Sequence, residues 1–304
     1  MENNTPFDDV FRTLLEKCSN LIIPVINEIF GTDYALNDKV TLLANEQFFQ
    51  DENGEAEKRI TDCRIMVRGH IYHIECQSRP DSTIEIRMIE YDFHIALAER
   101  EEMDGEQVLR FPETAVLYLR HTKNTPDKLS IKIILPDNQE VRYSVPIVKV
   151  QEYTKEDILS KQLFFFTPYY ILKFEKELER IDADEEKVKN LTKDYQEIYE
   201  RLKILEDQRM VDGTYLYNLV VLTERLVKIV ADKQANIKRE VNTMGGRVLE
   251  LESDKIVERT RDEYRKQVVQ RMLKRGDSIE SIMDVTELTE NEIRKIEKNM
   301  LVSL

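Results

Sequence analysis

Residues 59–78, "RITDCRIMVRGHIYHIECQS", constrain the fold more than any other stretch of the chain. Apolar residues alternate on each side of a Gly-His pair, the period-2 pattern of two strands joined by a tight turn. With Gly69 and His70 as central residues, glycine at the first position suits a type II′ turn, whose twist matches the flanking strands. Pairing then follows by counting: 68 opposite 71, 66 opposite 73, 64 opposite 75 and 62 opposite 77. Opposed residues share a face and each strand alternates faces. One face is expected to carry Cys63, Ile65, Val67, Tyr72, Ile74 and Cys76. The other carries Asp62, Arg64, Met66, His73, Glu75 and Gln77, with Arg64 set to pair with Glu75. That polar face is either the solvated side of an ordinary hairpin or a place where carboxylates converge on a ligand.

The surrounding segments bear on the choice. After Asn4-Thr5-Pro6, the residues Val10, Phe11, Leu14, Leu15, Cys18 and Ile22 recur at helical spacing, and a second helix through Ile26 and Ile29 stops at Gly31. "KVTLLANEQFF" reads as a strand and the charged "QDENGEAEKR" as a loop. "STIEIRMIEYDFHIALAER" is a helix with Ile84, Met88, Tyr91, Ile95 and Leu97 near a 3.6 period. "ETAVLYLRHT", "KLSIKIILP" and "VRYSVPIVKV" are strands. Helix, strands, helix, strands predicts an α/β domain over 1–165. Its sheet is flanked by helices, so a buried carboxylate is costly without a ligand. Two carboxylates and a backbone carbonyl make a hard-oxygen set of the kind Mg²⁺ prefers.

Past "FFFTPYY" the chain becomes strongly charged. Leu191, Tyr195, Ile198, Leu202 and Leu205 form a short heptad-like seam, and "YLYNLVVLTERLVKIV" follows the Asp212-Gly213 turn. These predict a long helical hairpin over 166–254, a surface suited to a homodimer. A small helical unit over 255–304 follows, its last helix opened by the capping box Thr289-x-x-Glu292.

Composition narrows the function classes. No apolar run approaches the roughly 20 residues of a membrane span, and the acidic start is no signal peptide, so a cytoplasmic protein without membrane contact is expected. Three cysteines with no CxxC spacing suit a reducing compartment and argue against a zinc site. The formal charge of −14 excludes general coating of nucleic acid and leaves local basic patches. Residues 58–79 hold five Lys/Arg against two acids, and 259–275 hold seven against two.

The stretches "DDVFRTLLE", "ITDCRIMVRGHIYHIECQS" and "IRMIEYDFHIALAER" together resemble the PD-(D/E)XK nuclease superfamily, and more closely its recombination-promoting nuclease/putative transposase family. The tail "MLKRGDSIESIMDVTELTENEIRKIEK" is similar to one that such proteins often carry. The resemblance implies a restriction-endonuclease-like core, a central mixed sheet flanked by helices. It also implies a metal-dependent DNA endonuclease tied to recombination or mobile elements, with Mg²⁺ or Mn²⁺ held by Asp62, Glu75 and the Cys76 carbonyl. Gln77 stands where many relatives have a lysine. A carboxamide is no base at neutral pH, so Gln77 is expected to place the attacking water, which leaves the proton acceptor open.

Asp8 matches the family's Asp-x-x-Phe start, or else caps the first helix. Glu16 is the candidate acidic residue of that helix, or else a solvated carboxylate. Arg87 and Tyr91 share a helix face, where Arg87 would contact a phosphate or a structural carboxylate. His73 would shuttle protons or serve as a hydrogen-bonded core residue. Lys58, Arg59, Arg68 and Arg79 would flank a DNA phosphate path. The last two short helices resemble a helix-turn-helix, although "TENEIRKIEKNM" is too acidic for a convincing DNA reader. The competing expectation is an inactive nuclease-fold protein that serves as a binding or scaffold module through its helices.

Overall fold

The computed structural model describes residues 5–43, 46–50, 56–60, 63–78, 81–286 and 288–302; for 46–50, 56–60, 250–263 and 298–302 the backbone alone is described. The chain divides into two compact units, Met1–Gly245 and Gly246–Leu304. The sequence places its boundaries at 165 and 254 instead.

Helix α1 (Pro6–Lys17) starts where the sequence predicts. Thr5 is its N-cap, with Pro6 in the first turn. The Thr5 amide donates to Asp8 Oδ2 at 2.8 Å, and the Asp8 amide donates back to Thr5 Oγ1 at 3.4 Å. Phe7, Val10, Phe11, Leu14 and Leu15 form its buried stripe. Helix α2 (Ile23–Phe30) ends at Gly31, whose φ of 67° is the left-handed cap that glycine adopts without strain. Strand β1 (Val40–Leu42) follows, then a separate antiparallel pair, β2 (Glu46–Gln50) and β3 (Ala56–Ile60). The last residues of the expected loop "QDENGEAEKR" are thus a strand: pairing with β2 outweighs their low β-propensity.

Next come β4 (Cys63–Val67), β5 (His70–Gln77) and α3 (Ile84–Ala98), then a short hairpin of β6 (Glu101–Met103) and β7 (Glu106–Val108). Strands β8 (Glu113–Tyr118), β9 (Lys128–Ile134) and β10 (Glu140–Lys149) coincide with the three predicted runs. The main sheet is mixed and has six strands in the order β1-β4-β5-β8-β10-β9. β5, β8 and β10 are mutually parallel, and the other neighbours are antiparallel. The β5–α3–β8 crossover is what makes that parallel pair possible.

Both faces of the sheet are covered. On one, Tyr72 packs against Phe30, with ring centroids 5.2 Å apart, and shares a 2.7 Å hydroxyl contact with Tyr34. On the other, α3 lays Ile84, Met88 and Tyr91 on Val116, Tyr118, Leu129, Val145 and Ile147.

Beyond α4 (Lys155–Ser160), the apolar run Phe164–Phe174 is a 3-10 helix. It packs on α1: Phe165 meets Phe11 edge-on at 5.5 Å, and the Tyr169 hydroxyl donates to the Phe7 carbonyl at 3.1 Å. After α5 (Leu178–Asp182), α6 (Glu185–Asp207) and α7 (Tyr215–Val230) pack on one another, the Leu216 amide donating to Glu206 Oε1 at 2.7 Å. α6 buries the predicted seam of Leu191, Tyr195, Ile198, Leu202 and Leu205. α7 is tied back to α1 by Arg225–Asp9 at 3.0 Å. Helix α8 (Ala235–Arg275) follows.

In the second unit, α9 (Ile279–Thr286) and α10 (Glu290–Val302) close over Val269 and Met272 through Ile282 and Ile293. The capping box forms as read: the Thr289 amide donates to Glu292 Oε2 at 2.7 Å, and the Glu292 amide donates to Thr289 Oγ1 at 3.4 Å. Among the described residues, no helix is long and apolar enough to cross a membrane.

Candidate functional site

The β4–β5 turn is centred on Arg68-Gly69, not Gly69-His70. Both residues have positive φ, 48° and 85°, as a type I′ turn requires. The described pairs run from Cys63 opposite Ile74 to Val67 opposite His70, a shift of two residues from the expected register. A two-residue shift preserves faces, because side chains alternate with period 2. Cys63, Ile65, Val67, Tyr72, Ile74 and Cys76 therefore still share one face, and Arg64, Met66, His73, Glu75 and Gln77 the other. The cross-strand partners change. Arg64 stands opposite His73 rather than Glu75, and its guanidinium pairs with Glu99 at 2.5 Å.

The polar face is not a solvated one. Helix α3 covers it, leaving Glu75 2% exposed and His73 and Asp92 fully buried. Arg87 of α3 donates one nitrogen to Glu75 Oε1 and the other to Asp81 Oδ2 at 2.6 Å, while its guanidinium lies 5.7 Å from the centre of the Tyr91 ring. Burial works against the Arg87 charge, but Glu75, Tyr91 and Asp81 outweigh it and hold the guanidinium well above its usual pKa. Gln77 Nε2 reaches the same Glu75 oxygen at 3.4 Å. Asp81 itself accepts from the Thr83 amide and hydroxyl at 2.8 Å each. Burial would raise its pKa; the Thr83 and Arg87 contacts lower it below the usual carboxylate range.

Glu75's other oxygen, Oε2, faces His73 Nε2 at 3.7 Å, beyond hydrogen-bond length, so that interaction is electrostatic. The opposite ring nitrogen, Nδ1, is 2.6 Å from Asp92 Oδ1, and the Tyr143 hydroxyl donates to Asp92 Oδ2 at 2.5 Å. Burial alone would depress the His73 pKa. The Asp92 hydrogen bond and the nearby Glu75 charge prevail and push it up to about 9, which makes the ring an imidazolium at neutral pH. Three carboxylates, Glu75, Asp81 and Asp92, are thus set against two cations, Arg87 and His73.

Asp8 is engaged in capping α1. The Thr5 hydroxyl it binds lies 3.5 Å from that of Ser78, which brings the start of α1 to the end of β5. Glu16 is exposed on α1. Arg68 pairs with Asp38 at 2.8 Å and lies 5.5 Å from the Tyr34 ring centre. Lys58 and Arg59 stand on β3 opposite Phe48 and Gln47. Asp62 and Arg79 lie outside the described residues. The structure thus brings together Glu75, Gln77, His73 and Arg87, whereas Arg68 is engaged at the hairpin turn and Glu16 faces solvent.

Sequence reasoning misses Asp81, Asp92 and Tyr143. Asp92 has one local signal: it falls four residues after Met88 and three before Ile95, inside the buried stripe of α3. Tyr143 has none, since it lies on the part of β10 that pairs with β9 and only the folded sheet brings it to Asp92.

Glu75 and the Cys76 carbonyl offer hard oxygen donors, which suit Mg²⁺ or Mn²⁺ in kind. Among the described residues, no group of three or more His, Cys, Asp or Glu side chains is disposed to hold a metal ion. A second carboxylate would have to come from Asp62. No family model, curated protein or solved structure matches the chain.

Proposed function

We propose that the chain is a divalent-cation-dependent DNA endonuclease with a restriction-endonuclease-like core, acting in recombination or on mobile elements. The observation that carries this reading is Glu75: a buried carboxylate on a central strand, with Gln77, Arg87 and His73 gathered around it. Burying such a group costs several kcal/mol unless it is compensated, and Arg87 and His73 supply that compensation while holding the carboxylate in place. Further support comes from the order α1, β1-β4-β5 meander, α3, parallel β8, the layout of the PD-(D/E)XK nucleases.

In this reading Glu75, Asp62 and the Cys76 carbonyl would hold the cation. When bound, it neutralises charge on the scissile phosphate and acidifies water. Arg87 and His73 fix the Glu75 carboxylate from two sides. Gln77 orients the attacking water through its carboxamide and takes no proton. Arg87, 30% exposed and paired with Glu75 and Asp81, would also contact a DNA phosphate.

The test is nicking of supercoiled plasmid with Mg²⁺ or Mn²⁺. Asp62→Ala and Glu75→Ala are expected to lose at least about 100-fold in rate, since even outer-shell partners of a metal are worth 10–100-fold. Equal cutting by both variants and the parent would remove the site from the chemistry.

A further inference from the structure

Residues 264–275, the end of α8 in the second unit, carry five Lys or Arg and no acid, in a chain whose formal charge is −14. One side of this segment is core. Val269 and Met272 are buried with Ile282 of α9 and Ile293 of α10, and Val268 and Leu273 pack beside them. The other side is open. Tyr264, Gln267, Arg271 and Lys274 follow one another at steps of three, four and three, which puts them on one helix face. All four are exposed, Tyr264 to 67%. Lys266 and Arg275, also exposed, flank the stripe. At about 1.5 Å per residue the stripe runs about 15 Å, the length of about four stacked nucleotides.

Two features set this face apart from an ordinary solvated one. Exposed cations elsewhere in this acidic chain find carboxylates: Lys132 pairs with Glu140, Arg225 with Asp9 and Arg294 with Glu290. On this face Arg275 pairs with Asp277 at 2.5 Å, whereas Lys266, Arg271 and Lys274 make no ion pair among the described residues. The exposed acids Glu280, Asp284 and Glu290 belong to α9 and α10. The second feature is Tyr264. Its large ring is left in solvent at the head of a row of unpaired cations. Cations alone answer to any polyanion; cations in line with an open aromatic ring match a string of phosphates that carries flat, unpaired bases.

We infer that this face of α8 binds single-stranded nucleic acid, with Lys266, Arg271 and Lys274 on backbone phosphates and a base stacked on Tyr264. The inference goes beyond the nuclease reading and does not depend on the Glu75 site. It also moves the nucleic-acid contact of the tail from the acidic α10, the would-be recognition helix, to the end of α8. The contact is independent of base sequence, because phosphates and ring faces are common to every nucleotide.

The experiment is fluorescence anisotropy of the full chain with a labelled single-stranded oligodeoxythymidine, across a salt series, with a duplex of equal length in parallel. A chelator is present throughout, so binding is read without metal-dependent cutting. Tyr264→Ala is expected to weaken single-strand binding about 5-fold or more, the loss of one stacked base. Tyr264→Leu, which keeps apolar bulk without the flat ring, gives the same reading should Tyr264→Ala unfold. The double variant Arg271→Ala/Lys274→Ala is expected to make the slope of log affinity against log salt shallower by about 1.4, at about 0.7 for each lost phosphate contact. Lys132→Ala, which removes an ion-paired cation of β9, leaves affinity and slope as in the parent. Parental affinity and slope in the α8 variants overturn the inference. So does duplex binding that is tighter than single-strand binding and indifferent to Tyr264→Ala. If the parent nicks plasmid while the α8 variants bind the oligonucleotide normally, this inference alone fails. If the parent never nicks yet binds through Tyr264, Arg271 and Lys274, the nuclease reading fails and this one stands.

Discussion

Arg87 donates to Glu75 Oε1, the same carboxylate oxygen that Gln77 reaches from its own strand. The pair joins α3 to the centre of the sheet and leaves Glu75 compensated where water scarcely reaches it. Arg87→Ala would strand that carboxylate. A fully buried pair broken this way loses about 3–5 kcal/mol; with Arg87 30% exposed, we expect about 2 kcal/mol, read from the urea midpoint. Unchanged stability would mean that water already solvates Glu75.

Gln77 is assigned to placing water rather than taking its proton. Gln77→Ala should slow plasmid nicking by about 10–100-fold, as misplacement of a reacting group does, while Mn²⁺ affinity stays near the parent value. A matching fall in Mn²⁺ affinity would make Gln77 part of the cation's support instead.

The His73 pKa, raised from its ordinary 6.5 to about 9 in the folded chain, gives a pH dependence of stability with a definite sign. The folded state binds the proton more tightly than the unfolded state. The resulting stabilisation is complete below about pH 6.5 and is lost as pH rises through about 9. Urea midpoints of the chelator-treated chain should therefore fall across pH 6.5–9, and His73→Gln should flatten that fall. Parallel curves for the two proteins would place the proton elsewhere.

Gly69 takes a φ of 85° with open space around the position of a Cβ, so the cost of a side chain there is that of the backbone alone. Gly69→Ala should destabilise the chain by about 1 kcal/mol, seen as a lower thermal midpoint with the fold unchanged by circular dichroism.

Much of this arrangement is legible in the chain, for physical reasons that differ by residue. The separation of the cysteine face from the Glu75 face follows from alternation, and it survives the two-residue slip because faces repeat every second residue. The slip itself arises because one glycine serves either turn: Gly69 can be the first residue of a type II′ turn or the second of a type I′ turn. Arg68 accepting a φ of 48° decides for the latter, aided by its contacts with Asp38 and Tyr34. The partners of Glu75 are harder to see. Arg87 and Asp92 come from α3, and Tyr143 lies 51 residues from Asp92, so only tertiary packing assembles them. Strand β3 hides in a charged run with little β-propensity, where pairing with β2 decides the outcome.

The central claim is that Glu75 holds a divalent cation. Crystals soaked in Mn²⁺ and measured by anomalous scattering test it most directly. The account predicts a peak within about 2.0–2.6 Å of a Glu75 carboxylate oxygen, the range of hard-cation contacts, which disappears in Glu75→Ala crystals. A map with no peak there, at a Mn²⁺ concentration that supports plasmid nicking and with Arg87 still bound to Glu75, would contradict it.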